Sequence, residues 1–263
     1  MLKIDFEVDF GNNGNRLMKQ TGKVYVVGIG PGSYEQMTIK AVRTLEQSDI
    51  IVGYTVYVDL IREYFPGKEL FSTPMMQEVD RCRKALEFAA EGKVVSVICS
   101  GDSGVYGMAG LVLELAEQFP EMEIEIVPGV TAASAGAAVL GAPICHDFAV
   151  ISLSDLLTPK DLIGKRLLHA AEADMIICLY NPSSKKRADY LHWACELILQ
   201  HRSADTVCGY VKQIGRDGQE KHVLTLEELK DTQVDMFTTV FIGNSRTKTD
   251  GEWMISPRGY RNV

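Results

Sequence analysis

The stretch that decides the fold is VYVVGIGPGS, residues Val24 to Ser33. Its first four residues are of strand-forming type, and three glycines follow within the next five residues. Beyond this loop, Met37, Ala41 and Leu45 recur at the spacing of one helix face. A strand, a glycine loop and a helix in this order predict α/β architecture with parallel strands.

The same order recurs along the chain. Further strand-like runs begin at Val94, Ile124, Phe148, Asp174, Thr206 and Thr238. We predict two α/β domains with mainly parallel or mixed sheets, residues 21–140 and 141–263, and no low-complexity linker separates them. Residues 1–20 form an N-terminal extension that we expect to be flexible, since it contains GNNGN.

Composition narrows the class of protein. The chain has 263 residues, of which 46% are hydrophobic, and a net charge of -8, which argues against general binding to nucleic acid or a membrane surface. No apolar run approaches the roughly 20 residues that span a bilayer. The six cysteines form no C-x-x-C pair, so we expect reduced thiols in a cytoplasmic protein and no metal site.

The glycine loop at residues 28–33 does not fit a phosphate-binding motif. The third glycine of G-x-G-x-x-G would stand at Ser33, and Pro31 has no N–H to offer a phosphate. A Walker loop is excluded because no Gly-Lys-Ser/Thr follows. Ligands collect beyond the carboxyl ends of parallel strands, so this loop and SGDSGVYG, VPGVTAAS and LYNPSS predict one shared cleft.

These four motifs, in this order, resemble the tetrapyrrole methylases, the class III S-adenosylmethionine-dependent methyltransferases. The strings VGY (52–54), ISLSDLLTP (151–159), IGNS (242–245) and SPRGY (256–260) resemble one branch of that family. That branch methylates C17 of precorrin-3B or of cobalt-precorrin-3, also called cobalt-factor III, in cobalamin biosynthesis. The resemblance covers about residues 23–260. It implies a cofactor trough between two domains, a homodimer, and methylation coupled to ring contraction.

The resemblance also implies a set of cofactor-binding residues for S-adenosylmethionine and its product S-adenosylhomocysteine. They are Pro31, Gly101, Asp102, Val105, Tyr106, Thr131, Ala132, Tyr180 and Asn181, with Lys212 and Asn244 from the second domain. Asp102 and Thr131 are equally typical of helix caps, and that interpretation stays open. Because ring contraction moves protons, His146 and Asp102 are candidate catalytic residues, although a structural role for His146 stays open.

The substrate implied by the resemblance carries several carboxylates, so an acidic protein needs local positive charge to bind it. Our candidate substrate-binding residues are Gly30, Ser152, Ser154, Asp155, Lys185, Arg246 and Arg258. Lys186, Arg187, Arg216 and Lys248 are further loop cations. The basic residues that we expect near Met76 and Ser183 are absent from those stretches. Two alternative functions stay open. The chain is a methyltransferase for another precorrin position or for uroporphyrinogen III, or it is a non-catalytic module that binds tetrapyrrole or adenosyl ligands.

Overall fold

The computed structural model describes residues 22–184 and 186–261. The extension predicted over residues 1–20 lies outside the described residues. The described residues form two five-stranded sheets and one three-stranded sheet. None of the helices in this part of the chain combines the length and the apolar character needed to cross a membrane.

The first sheet is parallel throughout and is covered on both faces. Its strands are β1 (Lys23–Gly28), β2 (Ile50–Tyr54), β3 (Glu69–Thr73), β4 (Val94–Cys99) and β5 (Glu123–Val127), in the order β3-β2-β4-β1-β5. Its helices are a 3₁₀ turn (Tyr34–Gln36), α1 (Ile39–Gln47), α2 (Thr55–Ile61), α3 (Glu78–Ala90) and α4 (Ala109–Ala116). Because side chains alternate along a strand, Val26 packs in the core of α3 and α4, whereas Val27 packs in that of α1 and α2.

The second sheet is mixed. Its strands are β7 (Phe148–Ser152), β8 (Ile176–Tyr180), β9 (Val207–Lys212), β10 (Glu220–Thr225) and β11 (Thr238–Ile242), in the order β10-β9-β11-β8-β7. Only β7 and β8 pair in parallel. The helices α6 (Lys160–Glu172), α7 (Tyr190–Ile198) and α8 (Leu226–Lys230) pack on one face. The predicted fold class, α/β with parallel and mixed sheets, is confirmed.

Helix α5 (Ala132–Leu140) covers the other face of the second sheet. Its small side chains allow a close approach, and a Cβ added at Gly136 would lie 2.9 Å from the Phe241 ring. The third sheet contains β6 (Gly141–Ala142), β12 (Lys248–Thr249) and β13 (Met254–Ile255). The division predicted at residues 140 and 141 stays a prediction, and the packing of α5 favours a boundary ahead of that helix.

Candidate active site

Loops from both sheets line one pocket with an empty space of about 790 Å³. Nine of the eleven predicted cofactor residues lie in its wall, namely Pro31, Gly101, Asp102, Val105, Tyr106, Thr131, Ala132, Tyr180 and Asn181. The other lining residues are Tyr57, Ser100, Gln213, Ile214, Arg216, Met236, Phe237, Thr238 and Thr239. Both sheets contribute to the wall, so the pocket has the inter-domain position that the resemblance implies.

The glycine loop after β1 is a backbone packing element. Gly30 and Gly101 exchange two hydrogen bonds, with N···O distances of 3.0 and 2.8 Å, which join the loops after β1 and β4. Both residues have positive φ angles, +73° and +72°, a conformation that favours glycine. Gly30 is therefore committed to this pairing and, although predicted to bind substrate, does not line the pocket.

The carboxylate of Asp102 is held by backbone N–H groups. Its Oδ1 accepts hydrogen bonds from the N–H groups of Gly104 at 2.8 Å and Val105 at 3.1 Å. Its Oδ2 accepts from the N–H of Gly129 at 2.9 Å, in the loop after β5. Asp102 thus fixes two pocket loops relative to each other, which favours a structural role over proton transfer, but it is not a helix cap because α4 begins at Ala109 with Met108 at its N-cap position.

Tyr180 ties the second sheet to the start of α5. Its hydroxyl accepts a hydrogen bond from the N–H of Ala133 at 2.7 Å and lies 2.6 Å from Thr131 Oγ1. Thr131 occupies the N-cap position without a side-chain bond of its own to the helix, so the tyrosine oxygen performs the capping. Burial raises the pKa of Tyr180 above its ordinary value, which keeps the phenol neutral.

Tyr106 joins the first half of the chain to the exposed edge of the second sheet. Its hydroxyl donates to the carbonyl of Val150 at 3.1 Å and accepts from the N–H of Ser152 at 3.1 Å. Both groups belong to β7, an edge strand whose outer backbone groups have no neighbouring strand. The Tyr106 ring also packs edge-on against Tyr180, with 5.5 Å between centroids. Two aromatic residues therefore close one wall of the pocket.

The predicted substrate residues at the end of β7 and in the loop after it form a network of their own. Ser152 Oγ accepts from Asn181 Nδ2 at 3.0 Å, and Ser154 Oγ accepts from Arg187 at 2.9 Å. Asp155 accepts from Tyr190 at 2.7 Å and from Arg187 at 3.0 Å, and these hydrogen bonds lower its pKa below the ordinary value. Since Arg187 is neutralised by Asp155, it is not the free cation that the sequence predicted.

Several predicted residues lie away from the pocket, for reasons of strand direction. His146 precedes β7, and the amino end of β7 lies at the opposite edge of the sheet. Its Nδ1 accepts a hydrogen bond from the N–H of Asp147, and His146 is not part of the pocket wall, so the geometry gives no support to its predicted catalytic role. Asn244 and Arg246 follow β11, which runs antiparallel to β8, so they too lie at the far edge.

Three other predicted binding residues, Lys212, Arg258 and Lys185, are also not among the described residues of the pocket wall. Lys212 ends β9 beside the pocket but is not part of its wall, and its Nζ lies 5.6 Å from the Tyr210 ring centroid. Arg258 is exposed beyond β13, which pairs with β6 at the far end of α5. Lys185 lies outside the described residues.

The sequence did not indicate the residues just before and at the start of β11. Met236 to Thr239 line the pocket because β11 is antiparallel and begins there. Tyr57, on α2, was missed because no loop motif surrounds it. Ser100 stands inside the quoted motif SGDSGVYG and could have been found from it.

The residues present fit S-adenosylmethionine. Apolar groups of Val105, Ala132 and Ile214 alternate with hydroxyl, amide and guanidinium groups in the wall. This mixture suits an adenosyl ligand with an amino-acid end and without phosphates.

Fold and site together define a methyltransferase that holds its cofactor between two α/β units. Residues 23–230 match the model of the tetrapyrrole (corrin/porphyrin) methylases, and the chain belongs to this family. It is an S-adenosylmethionine-dependent methyltransferase. The resemblance stated from the sequence motifs is confirmed.

The names of individual relatives are more specific than the family description. The chain is 46% identical over 236 residues to a probable cobalt-factor III C(17)-methyltransferase of Salmonella typhimurium, with 89% of this chain and 98% of that relative covered. It is 43% identical to the cobalt-factor III methyltransferase of Priestia megaterium, where 91% of this chain matches 45% of a longer protein. Among solved structures, the methyltransferase CobJ is 38% identical with a TM-score of 0.83, over 90% of this chain and 100% of that one.

Proposed function

We propose that this chain transfers a methyl group from S-adenosylmethionine to C17 of cobalt-factor III in cobalamin biosynthesis. The observation that carries the proposal is the convergence of four motif loops on one pocket, in a chain 46% identical to a relative of that name. Relatives named for cobalt-factor III reach identities of 40–46%, whereas the relatives named CobIJ stand at 38%. Because several relatives are named for cobalt-factor III, we propose the cobalt-containing substrate over precorrin-3B. Ring contraction stays a prediction from the resemblance.

Methyl transfer depends more on the alignment of the two reactants than on a strong base. When bound, S-adenosylmethionine supplies an electrophilic methyl group on a sulfonium centre. Displacement at that methyl group requires the carbon nucleophile in line with it, and precise positioning lowers the barrier. We propose that the nine predicted cofactor residues in the wall bind the cofactor. Asp102, Tyr106 and Tyr180 act as positioning residues, because their hydrogen bonds fix the loops.

The test is methyl transfer with labelled cofactor. The chain is incubated with methyl-¹³C S-adenosylmethionine and, in parallel, cobalt-factor III, precorrin-3B or uroporphyrinogen III, and the labelled carbon is located by NMR. We expect label at C17 of cobalt-factor III. Label on uroporphyrinogen III would overturn the choice of substrate. Cofactor binding without transfer to any of the three would identify a binding module instead of an enzyme.

We further propose that the chain is a cytoplasmic homodimer, as the resemblance implies. Leu156 and Leu157, in the loop between β7 and α6, are 65% and 98% exposed, and covering such apolar side chains stabilises an association. Sedimentation equilibrium measures the mass in solution. A monomer at micromolar concentration would overturn the dimer.

A further inference from the structure

One arginine reaches across the pocket from the second half of the chain to the first. Arg216, in the turn between β9 and β10, donates from Nε to the carbonyl of Pro31 at 3.0 Å and from Nη2 to Ser100 Oγ at 3.1 Å. Its methylene stem packs on the glycine loop, where a Cβ added at Gly32 would lie 2.4 Å from Arg216 Cγ. The guanidinium group is therefore held in the pocket wall.

This guanidinium has no carboxylate partner among the described residues. Burial lowers the pKa of Arg216, and no described carboxylate offsets that effect. An arginine nevertheless stays protonated at every physiological pH, so a positive charge remains in the wall. A partly buried, uncompensated charge is costly, and a ligand carboxylate would compensate it.

The groups around Arg216 suit an anionic ligand. Its guanidinium carbon lies 6.0 Å from the Tyr57 ring centroid and 5.5 Å from that of Phe237, so two aromatic rings shield it from water. The Tyr57 hydroxyl makes no hydrogen bond to a described residue and is left to donate to a ligand. The Ser100 hydroxyl accepts from Arg216 and has its own proton to donate.

A second arginine adds positive charge near Tyr57. Arg81 on α3 is 3% exposed, and it donates to Thr73 Oγ1 at 3.0 Å and to the carbonyl of Pro74 at 3.1 Å. It also forms no salt bridge with a described carboxylate. Both guanidinium groups act on the Tyr57 phenol in the direction that lowers its pKa, although desolvation outweighs them. Arg81 therefore lies against residues 73 and 74, at one end of the stretch where a basic residue was expected.

We propose that Arg216, Tyr57 and Ser100 form a receptor for one carboxylate group. The inference rests on the proposed function, which brings two sources of carboxylate to this pocket. One is the amino-acid end of S-adenosylmethionine, and the other is an acetate or propionate group of the tetrapyrrole rim. The chemistry is the same in both cases: the guanidinium and the two hydroxyl groups donate to the carboxylate oxygens.

The competing interpretation is that Arg216 only clamps the two halves of the chain together. A clamp predicts equal weakening of every ligand in the pocket, because its loss loosens the whole wall. A receptor predicts weakening of only those ligands that carry the recognised carboxylate. Selectivity between ligands therefore separates the two interpretations.

The experiment measures binding to Arg216→Gln and Arg216→Lys by isothermal titration calorimetry. The probes are S-adenosylhomocysteine, which has the amino-acid carboxylate, and 5′-methylthioadenosine, which lacks it. The KM for cobalt-factor III is measured in parallel. Arg62→Gln is the matched control, since it removes an exposed guanidinium that pairs with Asp59 on α2.

If the receptor takes the cofactor carboxylate, Arg216→Gln weakens S-adenosylhomocysteine by about 10- to 100-fold and changes 5′-methylthioadenosine by less than about twofold. If it takes a substrate carboxylate, both adenosyl ligands bind as before and the KM for cobalt-factor III rises by a similar factor. Changes that match those of Arg62→Gln for all ligands, or equal losses for all, overturn the receptor.

Arg216→Lys keeps the charge and the apolar stem, so it decides the question if the glutamine variant does not fold. Selective weakening of one carboxylate ligand supports the receptor, and unselective or absent weakening overturns it. The proposed function fails separately, when the wild-type chain binds no S-adenosylhomocysteine or transfers no methyl group. Wild-type activity together with unselective variants overturns the receptor alone.

Discussion

Removal of the Tyr180 hydroxyl is the sharpest test of how the pocket is held together. In Tyr180→Phe the ring stays in place, but the N–H of Ala133 and the hydroxyl of Thr131 lose the oxygen that lies 2.7 and 2.6 Å from them. The N-terminus of α5 then has no capping group. Because Thr131 and Ala132 line the pocket, both stability and cofactor affinity depend on this oxygen.

The magnitude follows from the two bonds. A neutral hydrogen bond contributes about 0.5–1.5 kcal/mol net, and an unpaired buried donor costs about 1–3 kcal/mol. The hydroxyl of Thr131 can turn toward water, so only the Ala133 N–H stays without a partner. We expect the free energy of unfolding to fall by about 2–3 kcal/mol, which lowers Tm by about 5–10 °C in a chain of this size. Affinity for S-adenosylhomocysteine should fall about tenfold, or about 1.4 kcal/mol.

Urea unfolding followed by circular dichroism measures the stability, and calorimetry measures the affinity. Tyr210→Phe is the matched control, since the Tyr210 residue is 6% exposed and its hydroxyl makes no hydrogen bond to a described residue. The double variant with Thr131→Val should cost less than the sum of the two single changes, because both disturb one network. A Tyr180→Phe variant within about 0.5 kcal/mol of Tyr210→Phe would refute the capping role.

Three further predictions concern other contacts that hold the fold and the pocket loops in place. Tyr106→Phe removes both hydrogen bonds to the edge of β7, so calorimetry should find S-adenosylhomocysteine bound about 3- to 10-fold more weakly, and unchanged affinity would contradict the role of this contact. Gly30→Ala brings a Cβ within 2.6 Å of the Gln36 carbonyl, whereas Gly67→Ala has a similar φ angle and meets no atom within 4 Å. In urea unfolding, Gly67→Ala should cost about 1–2 kcal/mol and Gly30→Ala at least about 2 kcal/mol more, and equal costs would show that backbone strain alone matters. Hydrogen bonds from two lysines lower the pKa of Glu125 to about 2, so its stabilising effect is present above pH 4.5 and is lost as the pH falls toward 2. The stability difference between wild type and Glu125→Gln should shrink over that interval, and a difference that does not depend on pH would exclude the ion pairs as its cause.

Much of the site could be predicted because the first sheet is parallel. The carboxyl ends of parallel strands share one edge, so Pro31, Gly101 and Thr131 could be assigned to one cleft from their positions after strands. The second sheet is mixed, and the same reasoning failed there. Asn244 follows a strand that ends at the far edge, whereas Thr238 begins the same strand inside the pocket. Strand direction depends on pairing between distant segments, which the local pattern does not contain.

The sequence by itself determined the α/β class, the glycine loops built for backbone contact, and the family, because each depends on residues that are close together in the chain. Only the tertiary structure decided which polar groups are already occupied. Asp102 is held by backbone N–H groups and Arg187 by Asp155, whereas Arg216 reaches Pro31 across 185 residues and keeps no carboxylate among the described residues. A charged side chain is available to a ligand only if no such long-range contact already occupies it. These contacts form only in the folded chain, so the sequence alone does not show them.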